Sequence, residues 1–222
     1  MRYDALEEME LNRFIESTNL SMTMVDRDVD SLVSSAIELH CHGVCVPPYW
    51  VKRARREIGE ADLQLVTVIG YPLGYQMTES KIKETEIALT EGAAEIDVVI
   101  NAGAFKTQAE WVKIELVKLA QLVHDQDAIL KVILETDLWT NDETINLLRI
   151  CADAGVDFAK TSTGYHRQPV SPEVIRLFRQ NLPSNVGIKA SGGIKTKEQA
   201  LALIEAGADR IGTSSALQIL QG

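Results

Sequence analysis

Short apolar runs rich in β-branched residues alternate along the chain with longer stretches in which apolar positions recur every three or four residues. The first pattern predicts buried strands, the second amphipathic helices packed over them. Eight runs read as strands, near Phe14–Glu16, Gly43–Val46, Gln64–Ile69, Ala94–Asn101, Leu130–Thr136, Val156–Lys160, Gly187–Ala190 and Asp209–Gly212. Helix starts lie between them. Thr107-x-x-Glu110, Thr140-x-x-Glu143 and Thr196-x-x-Gln199 have the form of capping boxes, and Ser171-Pro172 sets a cap before a first-turn proline. Glu91-Gly92-Ala93-Ala94, Ala154-Gly155-Val156 and Ala206-Gly207-Ala208 form a weak repeat, each ending a helix on glycine and re-entering a strand.

Eight strand–helix units in 222 residues predict an α/β protein of one domain, a (β/α)8 TIM barrel over 1–222 with a short helical extension at about 1–11. A doubly wound open sheet is the competing reading. It wants fewer strands and a Gly-x-Gly-x-x-Gly after the first of them, and no such spacing follows Phe14–Glu16.

Composition sets the class of protein rather than its chemistry. Apolar residues make up 45% and charged residues 24%, as in ordinary folded proteins. Against 22 Lys and Arg stand 32 Asp and Glu, a net charge of −10 that repels phosphate backbones, so no nucleic-acid partner is expected. The segment MRYDALEEME has no export signature, three cysteines are an odd number, and no run is long and apolar enough for a membrane span. These features predict a cytoplasmic protein with reduced thiols and no membrane partner.

Three ionisable residues interrupt the apolar strands: Asp97, Lys160 and Lys189. Lysine is seldom fully buried, and strand C-termini in a barrel converge on the active-site face. Two ammonium groups close together repel, and desolvation disfavours charge, so at least one lysine is expected to lose its proton near neutral pH. A neutral amine is a nucleophile. At a pKa of ~10.4 only about 0.04% of a lysine is neutral at pH 7, and lowering that pKa to ~7 costs ~4.6 kcal/mol. Asp97 could move protons during carbonyl addition and dehydration. The structural alternatives are lysines snorkelling outward beneath the helices and Asp97 as a buried counter-charge.

Thr163-Gly164, Gly192-Gly193 and Gly212-Thr213-Ser214-Ser215 follow the last three predicted strands. Loops after strands 7 and 8 of such barrels, with the helix N-termini they feed, commonly bind phosphate. Taken singly each loop reads as a turn; taken together they predict an anion site formed by Thr163, Gly164, Gly192, Gly193, Gly212, Ser214 and Ser215. His40-Cys41-His42-Gly43-Val44-Cys45 holds zinc-competent side chains but lacks a paired knuckle elsewhere, so no metal is expected, with the histidines at a helix end and Cys45 in a strand. Cys151 reads as packed in a helix. Lys131, with Glu135 nearby, has no assigned role.

With these residues in view the chain resembles the deoxyribose-phosphate aldolases, class I aldolases built on a (β/α)8 barrel. The resemblance is carried by Val66-Thr-Val-Ile-Gly-Tyr-Pro-Leu-Gly74, Glu95-Ile-Asp-Val-Val-Ile-Asn101, Leu130-Lys-Val-Ile-Leu-Glu-Thr136, Phe158-Ala-Lys-Thr-Ser-Thr-Gly164 and Ile188-Lys-Ala-Ser-Gly-Gly-Ile194. It implies reversible cleavage of 2-deoxy-D-ribose 5-phosphate to acetaldehyde and D-glyceraldehyde 3-phosphate in deoxyribonucleotide catabolism, without cofactor or metal. Lys160 would form the Schiff base, Lys189 would lower its pKa, and Asp97 would join the proton relay. The chain departs from the family in three places. Ile15-Glu16-Ser17-Thr18-Asn19-Leu20 stands where Ile-Asp-His-Thr-Leu-Leu is common, Tyr165 stands where lysine or phenylalanine often follows the glycine, and the chain ends without a tail tyrosine. Another Schiff-base lyase and a non-catalytic phosphosugar-binding barrel are the alternatives. A homo-oligomer, with the dimer as the commonest form, is expected on base rates alone.

Overall fold

The computed structural model describes residues 10–165 and 169–222. Eight parallel strands close into a barrel in sequence order, β1 (Ile15–Thr18), β2 (Gly43–Val46), β3 (Gln64–Ile69), β4 (Glu95–Val99), β5 (Ile129–Ile133), β6 (Phe158–Lys160), β7 (Gly187–Ser191) and β8 (Arg210–Thr213). Each is followed by a helix: α1 (Asp26–Glu38), α2 (Val51–Ile58), α3 (Thr78–Thr90), α4 (Ala102–His124), α5 (Asn141–Asp153), α6 (Pro172–Asn181), α7 (Lys197–Glu205) and α8 (Ala216–Gln221). Of the extension expected at about 1–11, all but the last two residues lie outside the described residues, and Leu11–Phe14 forms a single 3-10 turn.

The strands alternate in a consistent way. Ile96, Val98, Leu130, Val132, Ala159, Ile188 and Ala190 face outward into one continuous apolar core beneath the helices. The residues between them face the barrel interior, where Cys45, Val66 and Val68 form a small separate apolar cluster. Opposite that cluster lie the charged side chains of β1, β4, β5, β6 and β7. Period-two alternation therefore divides each strand between two different environments.

The helix punctuation follows the sequence in most places. Thr140 and Thr196 accept from the backbone of Glu143 and Gln199 in complete capping boxes, and Pro172 opens α6. Gly92, Gly155 and Gly207 leave their helices at φ of 102°, 77° and 114°.

Thr107 is an exception. Asn101 leaves the strand and caps α4 by accepting from Ala104, so the helix begins six residues earlier than expected. Thr107 then lies inside it, its hydroxyl donating back to the Gly103 carbonyl, and the chain breaks helical geometry at Gln108. The same recruitment shortens β4. In β5 the run ends early because Glu135 takes a left-handed conformation, φ 57°, and starts a 3-10 turn over Thr136–Leu138.

Candidate active site

The strand register places Lys160 directly beside Lys189 and Asp97 beside Lys131. All four side chains are buried inside the barrel, at 3% exposure for Lys160 and none for the other three. Lys160 Nζ donates to Asp97 Oδ2 at 2.8 Å, and Lys189 Nζ donates to the same oxygen at 2.6 Å. Lys131 Nζ takes the other oxygen, Oδ1, at 3.0 Å.

Glu16 and Glu95 complete the cluster. Glu16 pairs with Lys189 through Oε2 and lies 3.4 Å from Lys131 through Oε1, while Glu95 pairs with Lys131. At the closed, N-terminal end of the barrel His42 Nε2 meets Glu95 Oε1 at 3.0 Å. Three carboxylates and three lysines share one interior.

Their proton affinities diverge because the pairing is uneven. Burial pushes the Asp97 carboxyl up, but the ammonium groups of Lys131, Lys160 and Lys189 outweigh it and hold the group well below the usual carboxylate range. Burial likewise opposes Lys131 and Lys189 in their charged forms, and carboxylates overcome it: Asp97, Glu16 and Glu95 for Lys131, Asp97 and Glu16 for Lys189. Both stay above the ordinary lysine value. For Lys160 burial prevails, reinforced by the neighbouring Lys189 charge, against the single carboxylate of Asp97, and its pKa falls.

Lys160 also borders open space. A cavity of about 830 Å³ is lined by Lys160, by Thr163 and Gly164 after β6, by Gly192 and Gly193 after β7, and by Gly212 and Ser214 at β8. Ser215 does not line it; its backbone N–H donates to Thr213 Oγ1 at 2.9 Å. Two glycines permit this packing. Gly193 sits at φ 68°, where a Cβ would come within 2.9 Å of Pro169 Cα, and a Cβ on Gly212 would meet Ser191 Oγ at 2.6 Å and Lys189 Cε at 3.1 Å. Thr163 is fixed from below, its backbone N–H and hydroxyl both donating to Glu135 Oε2.

Comparison with known proteins places this arrangement. A family profile described as DeoC/LacD family aldolase matches residues 4–222. The chain belongs to that family. It is similar to the deoxyribose-phosphate aldolase of Thermococcus kodakarensis, 42% identical over 98% of each chain, and to that of Brevibacillus brevis, 43% identical over 96% of each. Among solved structures, a deoxyribose phosphate aldolase from Aeropyrum pernix, titled as a unique tetramer, superposes with a TM-score of 0.92 at 32% identity, covering 99% of this chain and 94% of the other.

Several residues of this aldolase's site carry no clear signal in the sequence. Glu95 is legible only as an inward position of a strand whose parity is already known, and the pairing of Glu16 and Lys131 within the cluster emerges only in three dimensions. Tyr71 crosses the cavity mouth, donating its hydroxyl to the Thr163 carbonyl at 2.6 Å and meeting the Tyr165 ring edge-on at 5.5 Å. Lys195, from the loop after β7, lines the same cavity as Gly192 and Gly193 and adds a cation to it.

The His-Cys-His run is dispersed. His40 leaves α1 at φ 52°, Cys41 packs in the main core, and Cys45 joins the interior apolar cluster. Among the described residues, Glu16, His42 and Glu95 bring potential ligand atoms within 4.8 Å of one another. The Lys131 ammonium pairs with both carboxylates of that trio, and a fixed positive charge there opposes a second cation.

Proposed function

We propose that this aldolase reversibly cleaves 2-deoxy-D-ribose 5-phosphate to acetaldehyde and D-glyceraldehyde 3-phosphate through a Schiff base on Lys160, with Asp97 and Lys189 as its catalytic partners. One observation carries the choice of nucleophile. Of the three lysines in the barrel interior, Lys160 is the one that lines the cavity. Its lowered pKa makes the neutral amine available, while Lys189 and Lys131 remain ammonium ions.

Cleavage starts when Lys160 Nζ adds to the C1 carbonyl of the open-chain sugar, and water leaves to give an iminium ion. The cationic nitrogen draws in the electron pair of the C2–C3 bond as that bond breaks, and the C3 hydroxyl proton departs to a base through positioned water. Glyceraldehyde 3-phosphate leaves. The remaining enamine takes a proton at C2, and hydrolysis of the new iminium releases acetaldehyde and regenerates the amine. Asp97, held ionised, and Lys189, held protonated, are the fixed acceptor and donor beside these steps. The iminium is itself the electron sink, so the chemistry calls for no metal or organic cofactor.

Gly164, Gly192, Gly193, Gly212 and Ser214 would hold the phosphate through backbone N–H groups and hydroxyls, with Lys195 as its counter-charge, while Thr163, whose two donors are taken by Glu135, would shape the loop after β6. Ser215 supports the loop after β8 without lining the cavity. Binding energy from the distant phosphate is thereby spent on positioning the carbonyl. The test is a coupled assay for both aldehydes. Equal release of acetaldehyde and glyceraldehyde 3-phosphate, unaffected by chelator, is expected; binding of the sugar phosphate without products would contradict the reading.

The compartment and assembly follow as parts of the same proposal. Cys41, Cys45 and Cys151 are free and buried, and among the described residues no helix is long and apolar enough to cross a membrane, in keeping with work in the cytoplasm. The tetrameric relative supports a homo-oligomer, for which a dimer is the simplest unit, and light scattering gives its mass.

A further inference from the structure

Lys131 and the His42–Glu95 pair lie at the closed end of the barrel, away from the cavity that receives substrate. We propose that Lys131 is a positioning residue of the reaction: by occupying Asp97 from the closed end, with Glu95 and His42 behind it, it leaves Lys160 the poorest-paired of the three lysines and so selects it as the nucleophile.

The distribution of partners carries this assignment. Lys131 reaches three carboxylates: Asp97 Oδ1 at 3.0 Å, Glu16 Oε1 at 3.4 Å, and Glu95. Lys189 reaches two, Asp97 and Glu16. Lys160 reaches one, Asp97 Oδ2 at 2.8 Å, and shares that oxygen with Lys189. Three carboxylates therefore face three lysines, but they are drawn toward the closed end. Without Lys131, Glu16 and Glu95 would each lose a cation and Asp97 would be divided between two lysines instead of three.

Among the described residues, the remaining groups around the cluster do not disturb the count. Cys45 from β2 has its thiol pushed up by burial to about 11, so it stays uncharged at neutral pH. From β8, Arg210 lies over the Phe158 ring at 5.6 Å and donates to the Asp209 carbonyl. From β3, Val66 and Val68 face the interior, bringing no charge. His42, at the end of the row, holds Glu95 Oε1 and so fixes the carboxylate on which Lys131 rests.

This inference rests on Lys160 being the Schiff-base residue. Its test reads the proton affinity of Lys160 directly: competitive labelling with trace acetic anhydride at varied pH, followed by peptide mass analysis, needs no substrate. Lys131→Met removes a positive charge and frees Asp97, so the Lys160 labelling curve moves upward by about 1 pH unit. Glu95→Gln removes the negative charge behind Lys131 and moves the curve downward. Lys131→Arg retains the charge and keeps the curve near that of the wild type.

Opposite displacements in Lys131→Met and Glu95→Gln are the expected result, and a merely structural role would not produce them. Curves that coincide with the wild type in the folded variants overturn the assignment. Should Lys131→Met fail to fold, the direction of the Glu95→Gln displacement decides. Borohydride trapping of the wild type with sugar phosphate is run alongside. Labelling curves that fail to move defeat the role of Lys131, whereas absence of a trapped adduct at Lys160 defeats the Schiff-base reading.

Discussion

Two buried lysine systems in this protein differ in how their charges are matched. Between the helices, Lys81 of α3 donates to Glu115 Oε1 at 2.7 Å and to the Val99 carbonyl at 2.8 Å, and Thr78 donates to the other Glu115 oxygen at 2.8 Å. One lysine meets one carboxylate, and both carboxylate oxygens are occupied. Inside the barrel three lysines divide three carboxylates unequally, and the least favoured of them opens on a cavity. Burial lowers the pKa of both Lys81 and Lys160. A lowered pKa alone therefore does not set Lys160 apart; a shared counter-charge and an opening on the cavity do.

The strongest way to sharpen this contrast is truncation at each site. Lys160→Ala should reduce turnover by about 10⁴-fold or more with the fold retained, because the covalent route disappears. Progress curves together with circular dichroism measure both halves of that statement. Lys81→Ala should do the reverse, lowering stability by about 3–5 kcal/mol through the uncompensated Glu115 charge, with activity per folded molecule unchanged. Urea unfolding reads it. If Lys81→Ala instead abolished turnover in a folded protein, the division between structural and functional lysine would fail. Replacing both partners, as Lys81→Met with Glu115→Leu, should recover most of the lost stability.

Acid should weaken the barrel cluster more gently. Burial pushes Glu95 up, but Lys131 and His42 bring it down to about 2 in the folded protein. Its unfolded value is near 4.5, so its contribution is fully present above that pH and is lost as pH falls through the interval toward 2. The loss is on the order of 3 kcal/mol. Melting temperatures measured down this range should fall more steeply in the wild type than in Glu95→Gln. The smallest effect is expected at the loops proposed to hold phosphate. Gly193→Ala, strained at its positive φ and pressed on Pro169, should raise KM for the sugar phosphate by about 10-fold, little affecting kcat or the cleavage of unphosphorylated deoxyribose.

The sequence made the barrel readable because its two periodicities stay consistent. Glycine ends helices at Gly92, Gly155 and Gly207, and the strand runs survive with their ends displaced by a few residues. Those ends moved where a polar residue had a second use: Asn101 became a helix cap and Glu135 a bracket for Thr163. Lys160, Lys189 and Asp97 stood out as charges within apolar strands.

Their partners were harder to see. Lys131 looked the same as Lys160 and Lys189, and only three-dimensional pairing distinguishes it from them. Glu16 registered as a departure from the family motif, although its longer side chain reaches both Lys189 and Lys131 across the barrel. Lys81 was invisible because a lysine in an amphipathic helix normally faces water, and Lys195 because a loop has no periodicity to break.

The most direct test of the central claim is borohydride reduction of the protein incubated with 2-deoxyribose 5-phosphate, followed by peptide mapping of the adduct. A single modification at Lys160, absent from Lys160→Ala, is the predicted result. An adduct on Lys189 or Lys131, or none at all while the sugar phosphate still raised the melting temperature, would contradict it.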